Sequence, residues 1–363
     1  MDVGKASRRF ELSLPSGDCA NTEFGFILEP SPKFTARLAA RIEELGFDIM
    51  LCPDTQNLCA DPYGQLALAS AATKKLRLGT GVTNPITRNA AVTASAMASL
   101  QIESGGRAIC GLGRGDSSAA HIGRANATTA ELRRYAQDVQ SYLRGDQVLT
   151  GQTRSHLRWV DPTVVPPVPV DIACTGPRTI RMAGDVADRV SFAVGSPPER
   201  IDWALKTLSQ RLEETGRDRS RLSVGAYIIL VCDHDEKRAI DSARMISGLI
   251  AHFTGLKNAP TEHLPAKLKS LALRLKQEYD MARHNLDTGS HLSAIDDEFV
   301  DWFAICGSPQ KCIDALGALI EKGLDHIYIL GGTPKAESHG ARWEKAVEQQ
   351  ELFSSDVLPF FRR

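Results

Sequence analysis

Long apolar runs, a charge excess of either sign and paired cysteine motifs are all missing from this 363-residue chain. No apolar stretch reaches the roughly 18 residues that span a bilayer, so no membrane helix is expected. Lys and Arg number 43 against 44 Asp and Glu, which leaves no broad field for nucleic acid or an anionic membrane surface. Any charged ligand has to be caught by a local site. The eight cysteines form no CxxC or CxxxC. Cys52, Cys110, Cys174 and Cys232 lie in or beside apolar runs, the pattern of reduced, buried small residues rather than of disulfides. Lys5, Arg8 and Arg9 near the start are followed by no hydrophobic segment, so no secretory signal is expected, and the expected location is the cytoplasm.

What is present is a regular alternation. With 42% hydrophobic residues the chain can bury a large core. Short apolar runs that read as strands recur at 24–28, 48–52, 76–82, 108–112, 170–174, 189–194, 222–232 and 326–330. Amphipathic stretches separate them: Phe34, Leu38, Ile42 and Leu45 form one helical face, and Thr128 or Thr129 opens a helix reaching about residue 144. Residues 150–169, polar and proline-bearing, read as a loop or small hairpin. Eight strand-then-helix units with apolar strands predict a (β/α)8 TIM barrel rather than an open sheet. Residues 1–22 read as an N-terminal extension and 23–335 as the barrel. A charged helical insertion at about 239–301 precedes the last strand, and 336–363 read as a C-terminal helix or tail.

In such a barrel the chemistry gathers at the C-terminal ends of the strands. Those ends carry Glu29, then Pro53-Asp54-Thr55, then Thr80-Gly81-Val82-Thr83-Asn84-Pro85. Further on come Gly113-Arg114-Gly115-Asp116-Ser117-Ser118, Thr175-Gly176-Pro177-Arg178, Gly195-Ser196-Pro197 and Gly331-Gly332-Thr333. Glycine lets backbone approach a flat ligand, and helix starts present N–H groups to phosphate. Gly111-x-Gly113-x-Gly115 is not a dinucleotide fingerprint: Asp116 stands where the third glycine belongs, and a fourth strand precedes it. No His/Asp/Glu group with ligand spacing lies at these ends, which argues against a metal hydrolase. No Lys is there for a Schiff base, and Ser117-Ser118 lack a nucleophile-elbow pattern. A site so poor in acids and bases suits chemistry carried by a cofactor.

The stretches Thr80–Pro85, Arg88 with Ala91-Val92-Thr93-Ala94, Gly105–Ala108 and Gly111–Asp116 resemble the luciferase-like monooxygenase superfamily. The nearest likeness is to the branch related to coenzyme F420-dependent methylenetetrahydromethanopterin reductase. Thr175-Gly176-Pro177 with 183–188, and Asp297–Asp301 with Phe303, Gly307-Ser308-Pro309 and Gly323-Leu324-Asp325, extend the likeness over roughly residues 23–335. The resemblance implies a barrel, usually a homodimer, that binds F420 or FMN in its mouth. Thr80, Gly81, Val82 and Asn84 would back the ring, with a non-proline cis peptide at Gly81-Val82. Asp54 would make polar ring contacts; related enzymes often carry a His beside it, where Thr55 stands here. Thr175, Gly176 and Pro177 would hold the phosphate, and Gly113, Arg114, Gly115 and Asp116 would line the ring or side chain.

The function implied is hydride transfer between F420 and a small organic substrate, with Asp54, Asp116 and His284 as catalytic candidates. His284 and His291 would sit in a lid formed by the insertion. An FMNH2-dependent monooxygenase fed by a partner flavin reductase is the alternative. A cofactor-free lyase or isomerase using Asp54 and Asp116 as acid and base is the alternative of another class.

Overall fold

The computed structural model describes residues 22–163, 165–254, 266, 269–271 and 295–362. Its first four strands, β1 (Glu23–Ile27), β2 (Ile49–Cys52), β3 (Arg77–Thr80) and β4 (Ala108–Leu112), pair in parallel in chain order. A separate antiparallel hairpin follows, β5 (Val148–Thr150) with β6 (Thr153–Ser155). The parallel sheet resumes with β7 (Val170–Cys174), β8 (Arg189–Phe192) and β9 (Ser223–Cys232). A short β10 (Ile305–Gly307) extends the far end of β9, and β11 (His326–Leu330) pairs with both β9 and β1. Together with the β8–β9 ladder this closes the ring, and the fold is the (β/α)8 barrel expected from the sequence.

Side chains alternate across each strand. Ile27, Ile49, Leu51, Ile109, Ile229 and Leu330 therefore belong to the cluster inside the barrel. Phe24, Phe26, Met50, Cys52 and Leu112 pack outward in a second cluster against the helices. The outer ring begins with α1 (Thr35–Glu44), α2 (Pro62–Ala72), α3 (Ala90–Glu103), the one-turn α4 (Ser117–Ala120) and α5 (Thr129–Leu143). Local chemistry fixes their starts. Asp61 accepts from Gly64 N at 3.0 Å ahead of Pro62, and Thr128 with Glu131 completes a capping box at the head of α5. The ring continues with α6 (Pro177–Val186), α7 (Pro198–Thr215), α8 (Glu236–Thr254), α9 (Asp297–Phe303), α10 (Pro309–Ile320) and α11 (His339–Glu348). Beyond α11 the chain lays Phe353 and Phe361 on Phe24, with ring centroids 5.9 and 5.5 Å away.

The N-terminal end of the barrel is sealed by a polar network. Arg77 and Arg189 both donate to Glu23, at 2.7 and 2.9 Å. Asp171 accepts from Ser191 and Tyr328, each at 2.7 Å. The His326 ring lies between Ser191, at 2.8 Å from Nε2, and Ser223, at 3.0 Å from Nδ1. All of Asp171, Ser191 and His326 are buried, so their mutual hydrogen bonds are what make their burial tolerable. Burial, reinforced by Arg189 and Arg77, holds the His326 ring well below the usual histidine pKa and keeps it neutral.

Two features depart from the expected elements. The third strand ends at Thr80 rather than Val82; the next peptide, Gly81–Val82, is cis as the resemblance implies. Between the insertion and the last strand lies β10, too short to register as an apolar run. His284 and His291, and the extension at 1–21, lie outside the described residues.

Candidate active site

The C-terminal mouth holds a cavity of about 250 Å³. Ile27, Gly81, Val82, Ala173, Ala193 and Leu330 give it an apolar wall from the barrel. On the other side α8 contributes Ile246, Leu249, Ile250 and Phe253, which recur at the spacing of one helical face. Tyr227 also lines it; its buried hydroxyl makes no hydrogen bond within the described residues.

The wall at Gly81–Val82 is braced from both neighbouring strands. Gly81 N donates to Cys52 O at 2.7 Å, Asp54 N to Val82 O at 3.3 Å, and Thr83 N to Gly111 O at 2.9 Å. This packing explains the glycines at three positions of the mouth. A Cβ on Gly111 would lie 2.0 Å from the Thr80 carbonyl oxygen, and one on Gly113 would lie 2.5 Å from Val82 Cγ2. Gly115 has φ +73° and abuts Asn84. These glycines let β3 and β4 meet closely, a reason distinct from the approach of a ligand. Gly176 differs: a Cβ there meets nothing within 4 Å. It precedes α6, whose start has no side-chain cap, and Thr175 and Thr179 beside it line the cavity. That opening has the composition of an anion-holding helix start.

Acidic groups take different positions. Asp54, with only 2% of its side chain exposed, is gripped by Arg88: Nε donates to Oδ2 at 2.6 Å and Nη2 to Oδ1 at 3.1 Å. Thr83 Oγ1 adds a third bond at 2.7 Å. Arg88 also bonds Asp61 at 2.6 Å and lies 4.4 Å over the Tyr63 ring. Burial works against the Arg88 charge, yet the bonds and charge of Asp54 outweigh it and hold the pKa above the ordinary range. Asp116 does line the cavity, and its Oδ2 lies 3.5 Å from His252 Nε2 on α8. A second cavity carboxylate, Glu29, accepts from His339 Nε2 at 2.7 Å and from Trp343 Nε1 at 3.2 Å. Two carboxylates of the mouth are thus each backed by a histidine.

The sequence pattern of the luciferase-like monooxygenase family matches residues 14–326. The chain belongs to that family. A 5,10-methylenetetrahydromethanopterin reductase of Methanolobus tindarius is 28% identical over 337 residues, covering 90% of this chain and 97% of that protein. An F420-dependent glucose-6-phosphate dehydrogenase of Intrasporangium calvum is 24% identical, covering 89% and 92%. Among solved structures, the coenzyme F420 dependent tetrahydromethanopterin reductase of Methanopyrus kandleri superposes with a TM-score of 0.73 at 25% identity. That likeness covers 94% of this chain and all of that one.

In this luciferase-like barrel, Gly81, Val82, Asn84, Gly113, Arg114, Gly115, Asp116 and Thr175 all line the mouth cavity. Asn84 is committed to its own loop: Oδ1 accepts from Ile86 N and Thr87 N, and Nδ2 donates to Ser118 Oγ. Arg114 is tied to Ala127, its Nε bonding that carbonyl. Asp54 and Thr80 stand behind the wall. Thr80 is fully buried, its hydroxyl donating to Gly111 O at 2.8 Å, so neither residue lines the cavity. Gly176 and Pro177 do not line the cavity, though Thr175 and Thr179 on either side of them do. His252 and His339 were not singled out from the sequence. The apolar face of α8 signals that His252 stands at a packed surface, whereas nothing in the spacing around Ser338-His339 points to Glu29, some 310 positions away.

Proposed function

We propose that this chain is an oxidoreductase that uses coenzyme F420 for hydride transfer to or from a small organic substrate. The observation that carries this reading is one cavity joining an apolar barrel wall at Ile27, Gly81 and Val82 to the open, uncapped helix start at Thr175-Gly176. A flat heteroaromatic ring with a phosphate-bearing tail fits such a pairing. The wall would hold the ring and the first amides of α6, with Thr175 and Thr179, would hold the phosphate. When bound, the deazaflavin would supply two-electron hydride chemistry; the protein supplies orientation and exclusion of water. The F420-dependent relatives support this choice over FMN.

The cofactor-free acid–base reading loses its pair, because Asp116 lines the cavity and Asp54 does not. An FMNH2 monooxygenase would need a partner reductase. The functional form is a homodimer in this reading, supported by Leu68 on α2 and Val92 and Ile102 on α3, large apolar side chains about half exposed on adjacent helices. The cytoplasm suits its seven described cysteines, which are all unpaired. Anaerobic titration with F420H2 and with FMNH2, followed by cofactor fluorescence, tests the proposal. Saturable F420H2 binding supports it; preferential binding of FMNH2, or of neither, overturns it.

A further inference from the structure

The stretch of α8 that faces the mouth is apolar. Ile246, Leu249, Ile250 and Phe253 fall at i, i+3, i+4 and i+7, so they make one stripe, and all four line the cavity. Ile250 is buried, while Ile246, Leu249 and Phe253 are part-exposed: they bound the space without filling it. The helix is not short of charge. Lys237, Arg238 and Arg244 all belong to it, yet each is bound to carboxylates away from the mouth. Lys237 Nζ reaches Asp241 at 2.8 Å and Arg238 Nε reaches Asp233 at 2.6 Å. Arg244 Nη2 reaches Asp241 at 2.9 Å and also pairs with Asp297. None of these residues lines the cavity. His252, the remaining basic group of α8, is turned to Asp116 at 3.5 Å.

Among the described residues that line the cavity, Arg114 is the only basic side chain, and its Nε is spent on the Ala127 carbonyl. Two carboxylates, Glu29 and Asp116, line it as well. An ionised phosphate or carboxylate leaves water only where cations or hydrogen-bond donors replace its hydration. The start of α6 offers such donors, but the cofactor phosphate takes them in the reading above. A second anion entering the mouth would meet hydrocarbon on α8 and two like charges.

We propose that the α8 side of the cavity receives a neutral, hydrocarbon-rich substrate and turns away phosphorylated and carboxylated ones. Resting on the oxidoreductase reading above, this names the substrate class. With the cofactor ring on the Gly81–Val82 wall, a substrate on its other face lies against Ile246, Leu249, Ile250 and Phe253. Affinity then comes from area removed from water rather than from charge pairing, at about fourfold for each methylene buried.

Calorimetric titration with straight-chain alcohols tests the wall, in the chain with and without F420H2. The reduced cofactor cannot accept hydride from an alcohol, so binding alone is read. From 1-butanol to 1-octanol the affinity should rise about fourfold per methylene, with a negative heat-capacity change. Phe253→Ala should weaken 1-octanol binding about tenfold. With F420H2 saturating, and the α6 start therefore filled, octanoate and octyl phosphate should bind at least about tenfold more weakly than 1-octanol. Leu249→Arg, at a part-exposed position that tolerates a long polar side chain, should reverse that order. Circular dichroism checks that both variants fold. A flat alcohol series, octanoate or octyl phosphate bound as tightly as 1-octanol, or an order unmoved by Leu249→Arg overturns the inference and leaves the cofactor reading intact. Failure to bind F420H2 strikes the cofactor reading instead, and the alcohol series without cofactor, repeated in Phe253→Ala, still decides the α8 wall.

Discussion

Removing Arg88 is the sharpest way to separate a bracing role for Asp54 from a chemical one. Asp54 has 2% of its side chain exposed and Arg88 has 23%, and two of the three hydrogen bonds on the carboxylate come from that guanidinium. Arg88→Met keeps the aliphatic stem and strands a buried carboxylate with only Thr83 as partner. Breaking one side of a buried ion pair costs about 3–5 kcal/mol. The partial exposure of Arg88 puts the expected loss near the low end, about 3 kcal/mol. Replacing both partners, Asp54→Leu with Arg88→Met, removes the stranded charge and should recover about 2 kcal/mol of that loss. Urea unfolding followed by circular dichroism measures all three variants at pH 7. A cost below about 1 kcal/mol for Arg88→Met, the range of exposed ion pairs, would refute the reasoning. So would a double variant no more stable than the single one.

Other perturbations read other parts of the structure. Gly176→Ala meets open space, so it should melt like the unaltered protein yet bind F420H2 more weakly. Gly111→Ala drives a methyl group against the Thr80 carbonyl oxygen and should abolish soluble expression; equal behaviour of the two would contradict the assigned roles. His326 is held neutral when folded, whereas an unfolded histidine protonates near 6.5. Below about pH 6.5 the unfolded state then binds more protons, and stability falls by up to about 1.4 kcal/mol per pH unit. His326→Gln should reduce that slope between about pH 6.5 and 5, and an unchanged slope would discount the assignment. Leu68→Glu combined with Val92→Glu should break the proposed homodimer into monomers in sedimentation velocity, since each places a charge on an exposed apolar position of α2 or α3; a chain that is monomeric before substitution, or dimeric after it, contradicts that assembly.

The barrel itself was legible because buried parallel strands must be nearly all apolar, and runs such as Ile49–Cys52 and His326–Leu330 stand out against charged helices. The cavity was legible in outline for a topological reason: strand ends meet at one mouth whatever their sequence distance. Individual roles were less so. Asp54 follows β2 and looks like a site acid, and no local pattern announces that a side chain 34 positions away, Arg88, grips it behind the cavity wall. Gly111 looks like a ligand-contacting glycine, yet the nearest atom belongs to Thr80 on the adjoining strand. Glu29 was visible at its strand end, while its partner was not, because no local pattern encodes a contact between the first and last thirds of the chain.

The closing ladder between β1 and β11 joins Glu23 to His326, and that fact has a meaning for synthesis. A chain emerging from the ribosome offers β1 its β2 neighbour early, while the other edge of β1 stays open until β11 has been made, roughly 300 residues later. Sealing must therefore follow translation of the last strand, and the aromatic residues Phe353 and Phe361 then clasp Phe24 from outside. His339 arrives in the same late segment, so its hydrogen bond to Glu29 is made only with that clasp. A nascent fragment carrying most of the mouth would have the cavity walls before the Glu29 carboxylate gained its histidine, and an exposed strand edge that calls for prompt chaperone shelter.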